Sequence, residues 1–96
     1  MHVAEFERKV TAYVVKGFDV IAPAVNKFRR YGVYRLYFRD GGCVFAEFMS
    51  DKGTVTPKQV DVHDMMRSVG FDVLILSPKE GVSRAAELIH RAFFGE

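Results

Sequence analysis

The chain reads as α/β, a small mixed β-sheet flanked by helices, and three observations predict it. Val33 to Phe38 and Cys43 to Met49 are rich in aromatic and β-branched residues, and Asp40-Gly41-Gly42 separates them with the chemistry of a tight hairpin turn. A third apolar run, Phe71-Asp72-Val73-Leu74-Ile75-Leu76, follows a helical segment. A strand-helix-strand unit of that kind, Cys43 to Leu76, favours a parallel pair with a right-handed crossover. Antiparallel hairpin and parallel pair together make a mixed sheet with helices against it.

The elements follow in order. Val3, Phe6, Val10, Tyr13 and Val14 recur at helical spacing, while Glu5, Arg8, Lys9 and Lys16 can face water, so the first element is an amphipathic helix. Gly17 is its expected C-terminal cap. The stretch 18–31 supports two readings. Phe18-Asp19-Val20-Ile21 can form a short strand, and Pro23 can open a helical turn through Ala24, Val25 and Phe28 that ends near Gly32. The hairpin comes next. Its second strand is apolar on both faces except for Glu47, as expected near the centre of a sheet. Thr56-Pro57-Lys58-Gln59 and Ser77-Pro78-Lys79-Glu80 share one start signal: a hydroxyl N-cap, proline at the first helical position and a capping-box partner at the third. The first predicts a helix from Pro57 to about Val69, stopped by Gly70. The second predicts a last helix with Val82, Ala85, Ala86, Ile89, Ala92 and Phe93 on its apolar side, its first turn weakened by Gly81.

Length and composition set bounds. The 96 residues make one domain, expected to span 1–96, with a single modest core. Apolar residues are 49% and charged residues 27%, ordinary for a globular protein, and no apolar run reaches the ~20 residues of a membrane span. The N-terminus has no signal-peptide pattern. The lone Cys43 excludes an internal disulfide and reads as a small apolar strand residue; a cytoplasmic location is expected.

The net charge is only +2, but it is uneven. Lys27, Arg29, Arg30, Arg35 and Arg39 cluster with no acid among them until Asp40, and Phe28, Tyr31, Tyr34, Tyr37 and Phe38 are interleaved. Such a patch can neutralise phosphates and stack on bases, so it is a candidate DNA surface; a solvated turn and edge strand is the alternative.

Glu47 is the acid that most needs explaining. A carboxylate in a central strand is costly without a cation, a donor or a raised pKa. Either Arg35 pairs with it across the hairpin, or it binds a metal. Glu5 or Glu7 of the first helix could then supply a second ligand, and Lys52 could reach back from the following loop. Gln59 could hold a metal-bound water, although closing the capping box at Thr56 already explains it. His63, mid-helix beside Asp61 and Asp64, reads as a surface or boundary histidine. No phosphate loop, zinc-ligand spacing or nucleophile elbow is present.

Arg29-Arg30-Tyr31-Gly32-Val33-Tyr34-Arg35-Leu36, Gly41-Gly42, Val44-Phe45-Ala46-Glu47-Phe48, Thr56-Pro57-Lys58-Gln59 and Ser68-Val69-Gly70-Phe71-Asp72-Val73 together resemble the virus-type replication-repair nuclease domain (VRR-NUC). That family belongs to the PD-(D/E)XK superfamily. The resemblance covers roughly residues 29–78. It implies a restriction-endonuclease-like core and a Mg²⁺- or Mn²⁺-dependent DNA-cutting site, with Glu47 and Glu5 as metal ligands and Gln59 and Lys52 in support. Where the family has Pro-Asp this chain has Val33-Tyr34 or its neighbours, and where it has the lysine of Glu-x-Lys this chain has Met49. Losing an acid weakens the metal site, and losing the lysine removes charge stabilisation in the transition state. The expectation is therefore a nuclease-like protein that no longer cuts and needs no metal. It would be kept for DNA binding or contact with a host or phage protein, in a phage or mobile-element setting and as a homodimer. An active endonuclease with a rearranged site, or a pure protein-interaction or inhibitor module, is the alternative.

Overall fold

The computed structural model describes residues 2–23 and 33–94. In chain order it contains α1 (Val3–Phe18), β1 (Val33–Arg39), β2 (Gly42–Phe48), α2 (Pro57–Ser68), β3 (Asp72–Leu76), a 3-10 turn (Pro78–Glu80) and α3 (Val82–Phe94). The sheet order is β1-β2-β3, with β1 antiparallel and β3 parallel to β2. The mixed sheet and the parallel pair are as the sequence predicts. Among the described residues, no helix is long and apolar enough to cross a membrane.

Local chemistry sets the boundaries. His2 caps α1, its Nδ1 accepting from the Ala4 N–H at 3.2 Å. The helix runs past Gly17 and stops at Asp19, which takes the left-handed conformation (φ 56°) instead of the expected glycine. Aspartate tolerates that region because its short polar side chain can bond locally. The next residues form neither a strand nor a turn of their own. Phe18 ends α1, and Ile21 exchanges two backbone hydrogen bonds with Phe38, at 2.9 and 2.8 Å. That bridge covers part of the outer edge of β1. The helical turn expected after Pro23 falls on 24–32, outside the described residues.

The hairpin closes with two residues, Asp40 (φ 50°) and Gly41 (φ 81°), between the paired Arg39 and Gly42. Two positive φ angles are what a type I′ turn needs, and its twist matches the strands. At α2 the capping box forms as expected. The Gln59 N–H donates to Thr56 Oγ1 at 3.2 Å, and the Thr56 N–H donates to Gln59 Oε1 at 2.8 Å. The second start signal behaves differently. Ser77-Pro78-Lys79-Glu80 closes only one 3-10 turn, because Gly81 sits at φ 81° and breaks it from α3.

The two faces of the sheet are covered unequally. Val44, Ala46 and Phe48 of β2 and Tyr37 of β1 point to one face. There they join Phe6, Val10 and Val14 of α1 and Ala85, Ala86 and Ile89 of α3 in the main core. The other face carries Tyr34, Leu36, Phe38, Cys43, Phe45, Glu47, Val73 and Ile75, by strand alternation and register. Among the described residues only α2 packs there, and of its residues only Gln59 and His63 are buried.

Candidate functional site

Each face of the sheet buries one carboxylate. Glu47 lies on the α2 face, opposite Tyr34 on β1 and Ile75 on β3, and is 7% exposed. Its Oε1 is 3.3 Å from Nε2 of His63. Burial pushes the Glu47 carboxyl above its ordinary range, while the hydrogen bond and charge of His63 pull it back. The Phe45 ring lies 5.9 Å from the imidazole and stacks on Tyr34 at 5.4 Å.

Arg35 is not the partner of Glu47. It stands opposite Ala46, one position out of phase, and therefore points to the other face. His63 is not a surface histidine; it is 2% exposed. α2 presents Gln59 and His63 inward at i and i+4, and that places the imidazole under Glu47.

On the opposite face Glu7 of α1 is 1% exposed. Thr11 Oγ1 donates to Glu7 Oε2 at 2.7 Å, and Tyr37 Oη lies 2.8 Å from the same hydroxyl. Thr11 has one proton and spends it on Glu7, so Tyr37 donates to Thr11. Burial holds the Tyr37 phenol well above the ordinary tyrosine range, the Thr11 hydrogen bond acting the other way. Arg35 completes the group. One guanidinium nitrogen is 3.9 Å from Glu7 Oε2, and the other donates to the Ala22 carbonyl at 2.7 Å.

These positions decide how the residues suggested by the nuclease resemblance fit a metal. Glu5 is half exposed and pairs with Lys9 at 3.6 Å, on a helix that packs against the face opposite Glu47. Lys52 is exposed in the loop after β2. Gln59 is committed to the cap of α2. Met49 extends the parallel ladder, its N–H donating to the Leu76 carbonyl at 2.9 Å, and a Cβ on Gly53 would sit 3.3 Å from its methyl. Among the described residues, no three His, Cys, Asp or Glu side chains converge as metal ligands. The set around Glu47, one carboxylate with one imidazole, does not fit the oxygen-rich shell that Mg²⁺ requires.

The basic patch divides. Lys27, Arg29, Arg30 and Tyr31 lie outside the described residues. Arg35 is drawn inward to Glu7. Arg39 sits 4.4 Å above the Phe94 ring and 3.1 Å from Asp40. Tyr34 is stacked on Phe45. The described members of the patch are therefore engaged with the chain itself. Burial raises the Cys43 thiol, which keeps it in the unreactive form.

One feature was not foreseen from sequence. α2 buries Gln59 and His63, keeps its other polar residues exposed, and leaves Val62 (37%), Met65 (62%) and, at its C-cap, Val69 (69%) exposed as well. These three recur at i, i+3 and i+7 and form a stripe on one flank. Arg67, which reaches the Val73 carbonyl at the sheet edge, is on the opposite flank. The stripe therefore looks back across the half-covered sheet face, where Phe38 is 38% exposed. The signal was present in the sequence: a helix whose inward positions are Gln59 and His63 must put its valines and methionine elsewhere.

Comparison of the chain with protein-family models, with curated proteins and with solved structures finds no match.

Proposed function

We propose that this chain is a non-cleaving binding module on a restriction-endonuclease-like scaffold, and that it docks a protein on the half-covered face of its sheet. The exposed apolar flank of α2 carries this reading. A surface helix normally buries its apolar side, and one that exposes Val62, Met65 and Val69 while burying Gln59 and His63 leaves apolar area for something else to cover. Phe38 and the half-buried Tyr34, Leu36 and Cys43 extend that area across the sheet. Apolar residues with aromatic anchors are what protein partners bury at the centre of a contact. The scaffold part rests on the hairpin–helix–parallel strand order with Glu47 and Gln59 at the positions the family uses. The non-cleaving part rests on Met49 in place of lysine and on His63, not a second acid, beside Glu47.

Two experiments test it. With Mn²⁺ and supercoiled, nicked or branched DNA the chain should leave the DNA intact; cutting that Glu47→Gln abolishes would overturn the reading. A photoreactive amino acid placed at Met65 should cross-link one protein in the producing cell, and the same group at Arg8, on the exposed side of α1, should not. Nucleic-acid adducts at 65, or equal capture at both positions, would contradict the docking face.

A further inference from the structure

The free edge of β3 is a second surface, separate from the α2 stripe. The Met49 N–H bond to the Leu76 carbonyl fixes which peptide groups face β2. Leu76, Leu74 and Asp72 turn theirs toward β2, so Val73 and Ile75 turn theirs away from it. The Arg67 guanidinium approaches the Val73 carbonyl from that outer side, at a long 3.4 Å. Among the described residues no segment pairs with this edge. β3 carries no proline or lysine, and its one charged residue is Asp72 at its start.

Beside the edge, between β3 and α3, runs a groove of about 460 Å³. Leu74, Leu88 and Ala92 give it an apolar lining, Phe71 adds an aromatic wall, and Arg67 and Arg91 bring two cations against one acid, Asp72. Both arginines are half exposed, and their ion pairs, with Asp64 at 3.7 Å and Glu87 at 2.9 Å, are within single helices. Such exposed pairs contribute little and exchange readily for another carboxylate.

We infer that the free edge of β3 accepts an extended acidic peptide of another protein as a fourth strand. The outward N–H and C=O groups of Val73 and Ile75 bond its backbone. Alternate side chains of the added strand enter the groove over Leu74 and Leu88, the carboxylates between them meet Arg67 on the α2 side, and Arg91 adds positive charge along the groove. Backbone pairing supplies affinity in this mode, and the groove supplies selectivity.

The test uses the full chain and two labelled dodecapeptides, one alternating valine with glutamate and one alternating valine with lysine. The acidic peptide should bind, the lysine peptide should not, and the Val73 and Ile75 amides should gain protection from hydrogen exchange. Arg67→Glu with Arg91→Glu should weaken the acidic peptide about tenfold or more and admit the lysine peptide. Arg67→Gln with Arg91→Gln, which avoids new acids near Asp72, should show the first effect alone. Ile75→Pro removes an outward donor without touching the β2 ladder and should also weaken binding. Met65→Lys should leave it unchanged, which separates this site from the α2 surface. Binding of neither peptide, equal binding of both, or protection elsewhere would overturn the inference. So would a dimer broken by Ile75→Pro, which would give the edge to a second copy, or a short DNA duplex that displaces the acidic peptide.

Discussion

On the face covered by α1 and α3, the carboxylate of Glu7 sits at the end of a chain running from Tyr37 through Thr11, with Arg35 beside it. On the face covered by α2, Glu47 has the His63 imidazole at 3.3 Å, and the helix above it turns its apolar residues to solvent. The same three strands separate the two. The first face combines an acid, two hydroxyls and a guanidinium with a continuous apolar core, and such a network holds α1 to β1. The second leaves Phe38, Met65 and Ile75 uncovered. A buried acid is thus a structural tie on one side and lies beneath a half-covered apolar face on the other.

The contrast can be broken most forcefully at the strands. Phe48→Ala removes a fully buried ring from the α1/α3 face and should cost about 4 kcal/mol in urea unfolding, whereas Phe38→Ala on the other face should cost less than about 1 kcal/mol. Similar losses would mean the two faces are equally packed. Glu7→Ala comes next, at about 3 kcal/mol, because it leaves Arg35 without its buried partner. Adding Arg35→Leu should recover part of that loss, and no recovery would show that the pair does not hold the face.

Glu47→Gln separates the two faces through pH. Burial raises the Glu47 pKa in the folded chain, so the folded state binds this proton more tightly than the unfolded state does. That contribution is fully present below the unfolded carboxyl pKa and is lost as pH rises through the folded one. The variant should therefore gain on the native chain as pH climbs from the acid range to neutrality. A difference that stays flat with pH would mean that its surroundings do not raise the Glu47 pKa. Smallest is Thr56→Ala, about 1 kcal/mol, since it opens the cap of α2 without touching either face.

Much of the scaffold was legible because it rests on local chemistry. Asp40-Gly41 specifies a type I′ turn, Thr56-Pro57-Lys58-Gln59 specifies a helix start, and the spacing from Cys43 to Leu76 specifies a parallel return. The cross-strand neighbour of Glu47 was also legible in principle. A two-residue turn sets Arg39 against Gly42, and counting back sets Tyr34, not Arg35, against Glu47. What the sequence hid depends on tertiary placement. Which side of α2 meets the sheet decides whether His63 or the valines are buried, and its apolar residues are split, with Val60 on the flank opposite Val62 and Met65. Gly81 likewise shows that a capping box starts a helix only if the backbone after it stays right-handed. The tie between Glu7 and Tyr37 joins residues from α1 and β1, and no local spacing encodes it.

The most direct test of the central claim replaces two uncovered residues together. In Phe38→Lys with Met65→Lys, unfolding free energy should stay within about 1 kcal/mol of the native chain while cross-linking from a photoreactive group at Val69 disappears. A loss of several kcal/mol would make that face part of the chain's own core, and undiminished cross-linking would show that the partner does not sit there.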